Sequence, residues 1–246
     1  MHKQIFKGLK LLPAVFVVLI AAVFGVAQES SGNKHNERPE IAAPASQPAE
    51  GRKEIKSSAQ YSYEFTQPEF YIRHIVIEHD IDGRGKITFE RLNEEVAFEE
   101  PLDLSPATMS RVTGLWQSLR FLESEENYQT DRQYPHLGTM RLKMQQDSRK
   151  RTAEFNWTNN KDASSLVNEY RRIADQALLV FDISVARENQ PLNAPKLMER
   201  LELLLKRNGL SDPQQLIPLL KELSTDEHVP LIARNHAIRL LKKIEK

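Results

Sequence analysis

The stretch DIDGRGKITFE, from Asp80 to Glu90, joins two segments that are rich in β-branched and aromatic residues. Asp82-Gly83 is a favoured dipeptide of tight hairpin turns, because both residues tolerate positive φ angles. The segment before it, FYIRHIVIEH, and the segment after it, KITFERL, have the composition and the alternation of β-strands. The sequence therefore predicts a β-hairpin that reverses at Gly83, with Gly85 as a second conformationally permissive position.

The same stretch resembles the first half of an EF-hand calcium loop, with Asp80, Asp82 and Gly85 at the first, third and sixth positions. The resemblance ends there, because Arg84 and Arg91 occupy the fifth and twelfth positions, where calcium needs oxygen ligands. An EF-hand loop also lies between two helices, whereas this stretch lies between predicted strands. Asp80 and Asp82 are the candidate metal ligands of this alternative. The hairpin interpretation, which we prefer, predicts no metal and no other cofactor.

Residues 1–27 have the composition of an export signal. Three lysines and no acidic residue accompany an apolar run of 16 residues, and Gly25-Val26-Ala27 offers small residues at the positions that a signal peptidase recognises. The run is short for a bilayer span, which needs about 20 residues. We therefore predict cleavage after Ala27 and an exported protein, periplasmic or secreted. The alternative is an uncleaved N-terminal membrane anchor, which also leaves the rest of the chain outside the cytoplasm.

Residues 28–60 are predicted to form a disordered linker. They contain three prolines and no aromatic residue, and Ile41 and Ile55 are their only large aliphatic side chains. Such a segment cannot bury enough apolar surface to offset the conformational entropy that it would lose on folding.

Composition excludes several classes of function. Without residues 1–27 the chain has 31 basic and 34 acidic side chains, a formal charge of −3. A mildly acidic chain binds nucleic acid poorly, because that affinity depends on neutralising phosphates. The basic cluster from Arg149 to Arg151 is interpreted as a solvated turn in preference to a docking patch. The absence of cysteine excludes disulfides, thiolate metal sites and cysteine-based catalysis.

Alternating apolar and polar residues predict an antiparallel sheet of about five strands in an α+β domain that spans residues 61–187. A helix that Ser105 can cap separates the first three strands from the last two. The predicted strands begin near Tyr61, Phe70, Lys86, Met140 and Thr152.

From Asp162 onward helical periodicity dominates, and we expect the helices to cover one face of the sheet. One long helix begins at Asp162 or Ser164 and completes the α+β domain. Three further helices form a C-terminal helical segment, residues 188–246, and Ser211 is predicted to cap the second of them.

The loop ESEENYQTDRQYPHLG, which ends at Gly138, is the main candidate for chemistry, because long loops often carry function. His136, with Asp131 and Tyr134, has the residue types that acid–base catalysis needs. The competing interpretation, which we favour, is an ordered connection between the first helix and the second hairpin.

Other polar residues are interpreted as structural. His236 is predicted to be a packed or surface residue of the last helix. The glutamate pairs Glu94-Glu95 and Glu99-Glu100 are predicted to lie on solvated turns and edges, since a glycosidase pair must converge from separate strands.

Two parts of the chain resemble known classes of protein. The segment DEHVPLIARNHAIRLLKKI is similar to a HEAT-type helix, but the C-terminal helices amount to about one and a half repeats, too few for a solenoid. The region from Tyr61 to about Phe181 resembles bacterial envelope and secreted domains without an assigned activity. The shared features are a hairpin with an Asp-Gly turn, a helix ending in Phe-Leu, a second hairpin and a long helix. This second resemblance implies no site residues.

These observations favour an exported, non-catalytic protein that binds another envelope protein or gives structural support in the cell envelope. We expect no nucleic-acid partner, and contact with the membrane only through an uncleaved N-terminal segment. The alternative is a hydrolase or a metal-dependent enzyme that uses the loop around His136 and carboxylates of the sheet.

Overall fold

In the computed structural model, which describes residues 59–246, six strands form one antiparallel sheet. They are β1 (Ala59–Thr66), β2 (Ile72–Asp80), β3 (Arg84–Arg91), β4 (Phe98–Asp103), β5 (Thr139–Gln146) and β6 (Arg149–Phe155). Their order is β4-β3-β2-β1-β5-β6, so the first strand lies inside the sheet, between β2 and β5. The predicted signal peptide and nearly all of the predicted linker lie outside the described residues. Ala59 and Gln60, assigned to the linker by the sequence, already belong to β1.

The hairpin predicted at Gly83 is confirmed. Gly83 has a φ angle of +83°, and its backbone N–H donates to the Asp80 carbonyl oxygen at 3.2 Å. Asp80 Oδ1 accepts the backbone N–H groups of Asp82 and Arg84, both at 2.9 Å. The Asp80 carboxylate therefore satisfies backbone donors of the turn, as aspartate commonly does at the start of a chain reversal.

Gly85 permits a close approach between β2 and β3. A Cβ atom at this position would lie 1.8 Å from the Glu78 carbonyl oxygen and 2.7 Å from His79 Cα. Any side chain here would push the two strands apart directly beside the turn. Gly85 does not adopt a positive φ angle, so its role is steric and not the conformational one that the sequence predicted.

The sheet has six strands where the sequence predicted about five. The additional strand, β4, pairs with β3 at the edge of the sheet. An edge strand uses only one row of backbone hydrogen bonds, so it tolerates Pro101. Proline and the pair Glu99-Glu100 obscured the alternation of Phe98 and Leu102 in the sequence. The prediction that this glutamate pair lies at an edge is confirmed.

Five α-helices accompany the sheet within residues 59–246. They are α1 (Pro106–Ser118), α2 (Lys161–Asn189), α3 (Ala194–Lys206), α4 (Ile217–Thr225) and α5 (Leu231–Ile244). The predicted start of α1 is confirmed, because Ser105 Oγ accepts the Thr108 backbone N–H at 3.2 Å and a proline follows the cap. No helix in this part of the chain is long and apolar enough to cross a membrane.

The predicted cap at Ser211 is wrong. Asp212 caps a short 3₁₀ turn before α4, whereas Ser211 Oγ donates to Glu169 Oε1 at 2.7 Å. Glu169 is buried on α2 and also pairs with Arg111 of α1 at 3.0 Å and with Arg172. This polar cluster joins the chain that leads into α4 to both α1 and α2.

Two apolar clusters meet along α2. The first packs inward-facing strand residues such as Tyr63, Ile77 and Leu142 against α1 and the N-terminal part of α2. The second packs Leu179 and Ile183, from the C-terminal part of α2, against α3, α4 and α5. The strand side chains of the first cluster come from one face of the sheet, and the α+β class is confirmed.

The opposite face of the sheet is polar and carries a row of ion pairs. Arg141 pairs with Glu64 and with Glu154, both at 2.7 Å, and His74 lies 3.0 Å from Glu64 and 3.3 Å from Glu90. The hydrogen bond from His74 is the main cause that lowers the pKa of Glu90. The row crosses β6, β5, β1, β2 and β3, as expected for a solvated face.

A buried hydrogen-bond chain holds the ring of His79. Nδ1 donates to the Asp80 carbonyl oxygen at 2.8 Å, and Nε2 accepts from the Tyr170 hydroxyl at 2.9 Å. The Tyr170 oxygen in turn accepts from Trp116 Nε1 at 3.0 Å. Burial lowers the pKa of His79 and raises the pKa of Tyr170. In the native protein the ring of His79 is therefore a neutral imidazole that carries its proton on Nδ1.

Replacement of Gly85 by alanine should lower the free energy of unfolding by about 2–3 kcal/mol, because the new methyl group overlaps the backbone of β2. Gly114 in α1 is the matched control, since a Cβ there would meet no atom within 4 Å. Gly114→Ala should stabilise the fold by about 1 kcal/mol through helix propensity. Urea denaturation followed by circular dichroism measures both effects, and equal changes in the two variants would contradict a steric role for Gly85.

The free energy of unfolding should fall as the pH is lowered from about 7 to about 5. The unfolded chain binds a proton on His79 near the usual pKa of about 6.5, whereas the folded chain, in which the pKa of His79 is lowered, binds it only at lower pH. The contribution of His79 to this slope is at most about 1.4 kcal/mol per pH unit.

His79→Gln should remove this contribution and flatten the pH profile, whatever its effect on stability near neutrality. His136→Gln, at an exposed position, is the control and should keep the wild-type slope. Thermal or urea unfolding at several pH values measures the profile, and a His79→Gln slope as steep as that of the wild type would refute the assignment.

Candidate functional site

The two aspartates of the hairpin do not converge with other residues on a metal site. Asp80 uses Oδ1 to accept backbone N–H groups of the turn, and Asp82 is exposed at its tip. Between residues 59 and 246, no group of three or more His, Asp or Glu side chains is arranged to hold a metal ion. The hairpin itself accounts for this motif in structural terms.

The loop before β5 brings together only part of its candidate residues. Asp131, Arg132 and Tyr134 line a polar cleft of about 480 Å³. His136 does not line this cleft, and its ring centroid lies 6.1 Å from that of Tyr134. A ring contact of this kind provides no path for a proton between His136 and Asp131.

The basic cluster from Arg149 to Arg151 stabilises this loop. Arg151 Nη1 donates to the Phe121 carbonyl oxygen at 2.7 Å, and the guanidinium carbon lies 4.7 Å and 5.3 Å from the ring centroids of Phe121 and Tyr128. Tyr128, a residue of the predicted polar loop, is buried. The interpretation as a solvated turn is therefore wrong for Arg151, which holds the loop against β6.

The other polar candidates have structural surroundings. His236 is buried on α5, and its Nε2 lies 3.1 Å from Glu202 Oε2, which confirms the predicted packing. Glu94 and Glu95 are exposed in the connection between β3 and β4, and Glu99 pairs with a lysine of β3 at 2.8 Å.

An apolar groove of about 810 Å³ lies between α2 and one end of the inner face of the sheet. Phe65, Met140 and Phe155 form its floor, and they are register partners in the neighbouring strands β1, β5 and β6. Val167 and Ala174 belong to the wall that α2 provides. The groove is thus built from the rigid part of the fold, which favours a preformed binding site.

Three aromatic residues stand on the rim of this groove. Phe70 and Tyr71 belong to the connection between β1 and β2, and Trp157 follows the end of β6. Their exposed fractions are 46%, 60% and 47% respectively. Large aromatic side chains normally contribute most when they are buried, so three half-exposed rings around one groove make it the candidate site.

Buried polar contacts hold the rim in place. The Gln67 backbone N–H donates to the Arg73 carbonyl oxygen at 2.8 Å. Gln67 Nε2 donates to the carbonyl oxygens of Pro135 and His136 at 3.1 Å and 3.0 Å. The connection that carries Phe70 and Tyr71 is therefore joined to the loop before β5.

The guanidinium of Arg91, on β3, makes a cation–π contact with the ring of Tyr71. The same guanidinium also pairs with Asp182 of α2, whose second carboxylate oxygen accepts from Arg200 at 2.8 Å. At an exposed ring such as that of Tyr71, a cation–π contact contributes about 0.5–1 kcal/mol. The half-buried Arg91 thus contacts Tyr71 directly and Arg200 through the shared carboxylate of Asp182, and both of these residues line the groove. The guanidinium carbon lies between 5.3 and 5.7 Å from four ring centroids, those of Tyr71, Phe89, Phe98 and Phe181.

Charged groups gather where α2 and α3 border the groove. Arg171, Asp175 and Arg200 line it, and Arg207 lies 3.3 Å from Asp175. Burial raises the pKa of Asp175, and the charges of Arg207 and Arg200 act in the opposite direction. Burial raises the pKa of Tyr63, also in the lining, to about 12, although Arg171 lowers it. The groove therefore combines apolar area with guanidinium donors, which are elements of a binding site.

The pattern of the sequence did not predict the residues of this rim. Alternation placed Phe70 and Trp157 in strands, whereas β2 begins at Ile72 and β6 ends at Phe155. The sequence offers no signal that separates these residues from the strands, because Phe70 and Trp157 continue the alternation of Ile72 and Phe155 beyond the strand ends.

Comparison of the sequence with protein-family models and with curated proteins finds no match.

Proposed function

We propose that this chain is a non-catalytic protein-binding module and that the groove is its binding site. The observation that carries the proposal is the convergence of Phe70, Tyr71 and Trp157, each about half exposed, on one apolar groove. Burial of apolar surface is favourable, and the half-exposed rings of the rim have not gained that free energy. A partner that covers the groove recovers it.

The composition of the groove favours a protein over a small molecule as partner. Hot spots of protein interfaces are enriched in tryptophan, tyrosine and arginine, and Trp157, Tyr71, Arg171 and Arg200 surround this apolar floor. Sites for small molecules enclose most of the ligand surface, whereas this rim leaves its aromatic residues open to solvent. A chain segment with several apolar side chains fits an open groove of this kind.

We further propose that binding takes place outside the cytoplasm, in the periplasm or after secretion, and that the partner is another envelope protein. The support lies in residues 1–27, which combine lysines, an apolar run and the small residues Gly25-Val26-Ala27. If this segment stayed uncleaved, it would anchor the chain and leave the groove on the same side of the membrane.

A photoreactive benzoylphenylalanine in place of Phe70 should form a covalent adduct with a discrete partner protein in irradiated cells of the native host. Ile81 provides the matched control, because its exposed fraction is also 46% but it lies in the turn of the β2–β3 hairpin, outside the groove. The same probe in place of Ile81 should give no such adduct. Immunoblots of the irradiated cells measure the difference.

Trp157→Ala, introduced together with the probe at position 70, should reduce the yield of the adduct, because it removes one side of the rim. Identical adducts from both probe positions, or no adduct from position 70, would show that the groove is not the binding site.

The mature protein should begin at Gln28, and intact-mass spectrometry of the extracytoplasmic protein measures this. Ala27→Phe should block processing, because it places a bulky side chain where the peptidase recognises a small one. Ala22→Phe, within the apolar run, is the control and should be processed normally. A wild-type mass that still includes residues 1–27 would contradict cleavage and favour the membrane anchor.

A further inference from the structure

We infer that two copies of this chain pair through β6, so that their sheets join edge to edge. β6 is one of the two outer strands of the sheet, and β4 is the other. The unpaired backbone of an outer strand is a template for another strand. The pairing is antiparallel, with a two-fold axis at Thr152, so the same surface of both copies forms the interface.

The two outer strands differ in what their free backbone groups offer. On the free side of β4, Pro101 has no N–H to donate, and the Asp103 carbonyl oxygen already accepts Gln215 Nε2 at 2.9 Å. Proline and covered backbone groups protect an edge from pairing. β6 contains no proline, and its seven residues keep an unbroken register with β5. Of the two edges, β6 is therefore the one that can accept a strand.

The backbone groups that β6 offers belong to Lys150, Thr152 and Glu154. In an antiparallel pair, alternate residues direct their N–H and C=O groups away from the partner strand. Asn156 has the same parity as these three residues, and its N–H donates to Gln129 Oε1 at 2.8 Å instead of to β5. Among residues 59–246 no group forms a hydrogen bond with the backbone of Lys150, Thr152 or Glu154 on this side.

The hydrogen-bonding pattern selects one register for the two copies. All three residues find partners among themselves only when Thr152 lies opposite Thr152 of the second copy. Lys150 then lies opposite Glu154 of the second copy, and the symmetry repeats this pair. Each of the three pairs can exchange two N–H···O bonds, and facing threonines are themselves a favourable cross-strand pair. Every other antiparallel register leaves at least one of the three residues unpaired.

The charges of β6 agree with this register. Three cations in a row, residues 149–151, would normally protect an edge strand from pairing. In this register, however, no cation faces a cation. Lys150 has no ion pair within the described part of the chain, and it faces Glu154, whose opposite charge stabilises the strand pair. The two arginines face Phe155 and Ala153 of the second copy.

Cysteine crosslinking in cells of the native host tests the position of the axis. The chain has no cysteine, so an introduced one is its only thiol. Thr152→Cys should give a disulfide-linked dimer under oxidation with copper phenanthroline, because the Cα atoms of such a pair lie about 5.5 Å apart, within the reach of a disulfide. Non-reducing immunoblots measure the dimer.

Two control positions make this test specific. Lys150→Cys tests the register and should crosslink little, because the two Lys150 residues of the pair lie four residues, or about 14 Å, apart along the strands. Glu99→Cys tests random collision, because Glu99 is equally exposed on the other outer strand, β4. It should give no dimer.

Substitutions in the purified chain test the backbone and the charges separately, with sedimentation velocity as the measurement. Thr152→Pro should abolish the dimer but keep the fold, because it removes an N–H that points away from β5. Lys150→Glu and Glu154→Lys should each weaken self-association about tenfold, because like charges then face each other. Arg141 loses Glu154 in the second variant but keeps Glu64. Circular dichroism of each variant checks the fold.

An equimolar mixture of the Lys150→Glu and Glu154→Lys variants should recover the dimer, because only the mixed pair restores opposite charges at both positions. A chain that stays monomeric at every concentration and gives no disulfide with Thr152→Cys would overturn the inference. A dimer that is unchanged by Thr152→Pro and by both charge reversals would place the interface elsewhere and overturn it as well. Crosslinking of Thr152→Cys to a different protein would replace the second copy by a foreign strand.

Discussion

The fold depends on the length of α2. Its 29 residues span about 44 Å at the rise of an α-helix, whereas the eight residues of β1 span about 26 Å. The sheet can therefore cover only part of the apolar side of this helix. Leu179 and Ile183 lie in a second core with α3, α4 and α5, so the helices beyond residue 188 complete the burial of α2. The sequence predicted these helices as a separate segment, but their core includes the end of the long helix that also covers the sheet.

The same arrangement explains where the groove lies. α1 begins beside the hairpin turn, where the Leu104 backbone N–H donates to the Gly83 carbonyl oxygen at 2.9 Å. The row of Phe65 and Met140 is at the other end of the strands, because β1 runs from the turn end of β2 towards its first residues. A sheet of six strands is about 24 Å wide, and a helix is only about 10 Å wide. With α1 packed at the turn end, the opposite end is bordered by α2 and by Arg200 of α3, and the connections between strands become the rim of the groove.

The sequence predicted the elements whose cause is local. The turn at Gly83 follows from a dipeptide that tolerates positive φ, and the start of α1 follows from a serine that can reach an exposed backbone N–H. It missed β4, where pairing with β3 overrides a proline and two glutamates, and it misassigned Ser211, whose hydroxyl is used by the distant Glu169. The rim of the groove was missed for the same reason. The exposure of Trp157 depends on which element passes over it, and no spacing along the chain encodes that.

The Arg91–Asp182 pair gives the strongest physical reason to regard the groove as a preformed site. A buried ion pair adds little net stability, because desolvation offsets most of its attraction. The desolvation cost of this pair is larger still, because Arg91 Nε is buried without a hydrogen-bond partner. The pair does, however, fix Tyr71 through a cation–π contact and Arg200 through the shared carboxylate. Ordering a long side chain on binding costs about 0.5–1.5 kcal/mol, and these two contacts lower that cost for Tyr71 and Arg200. This half-buried pair is therefore better explained by the geometry that it imposes on the groove than by the stability of the core.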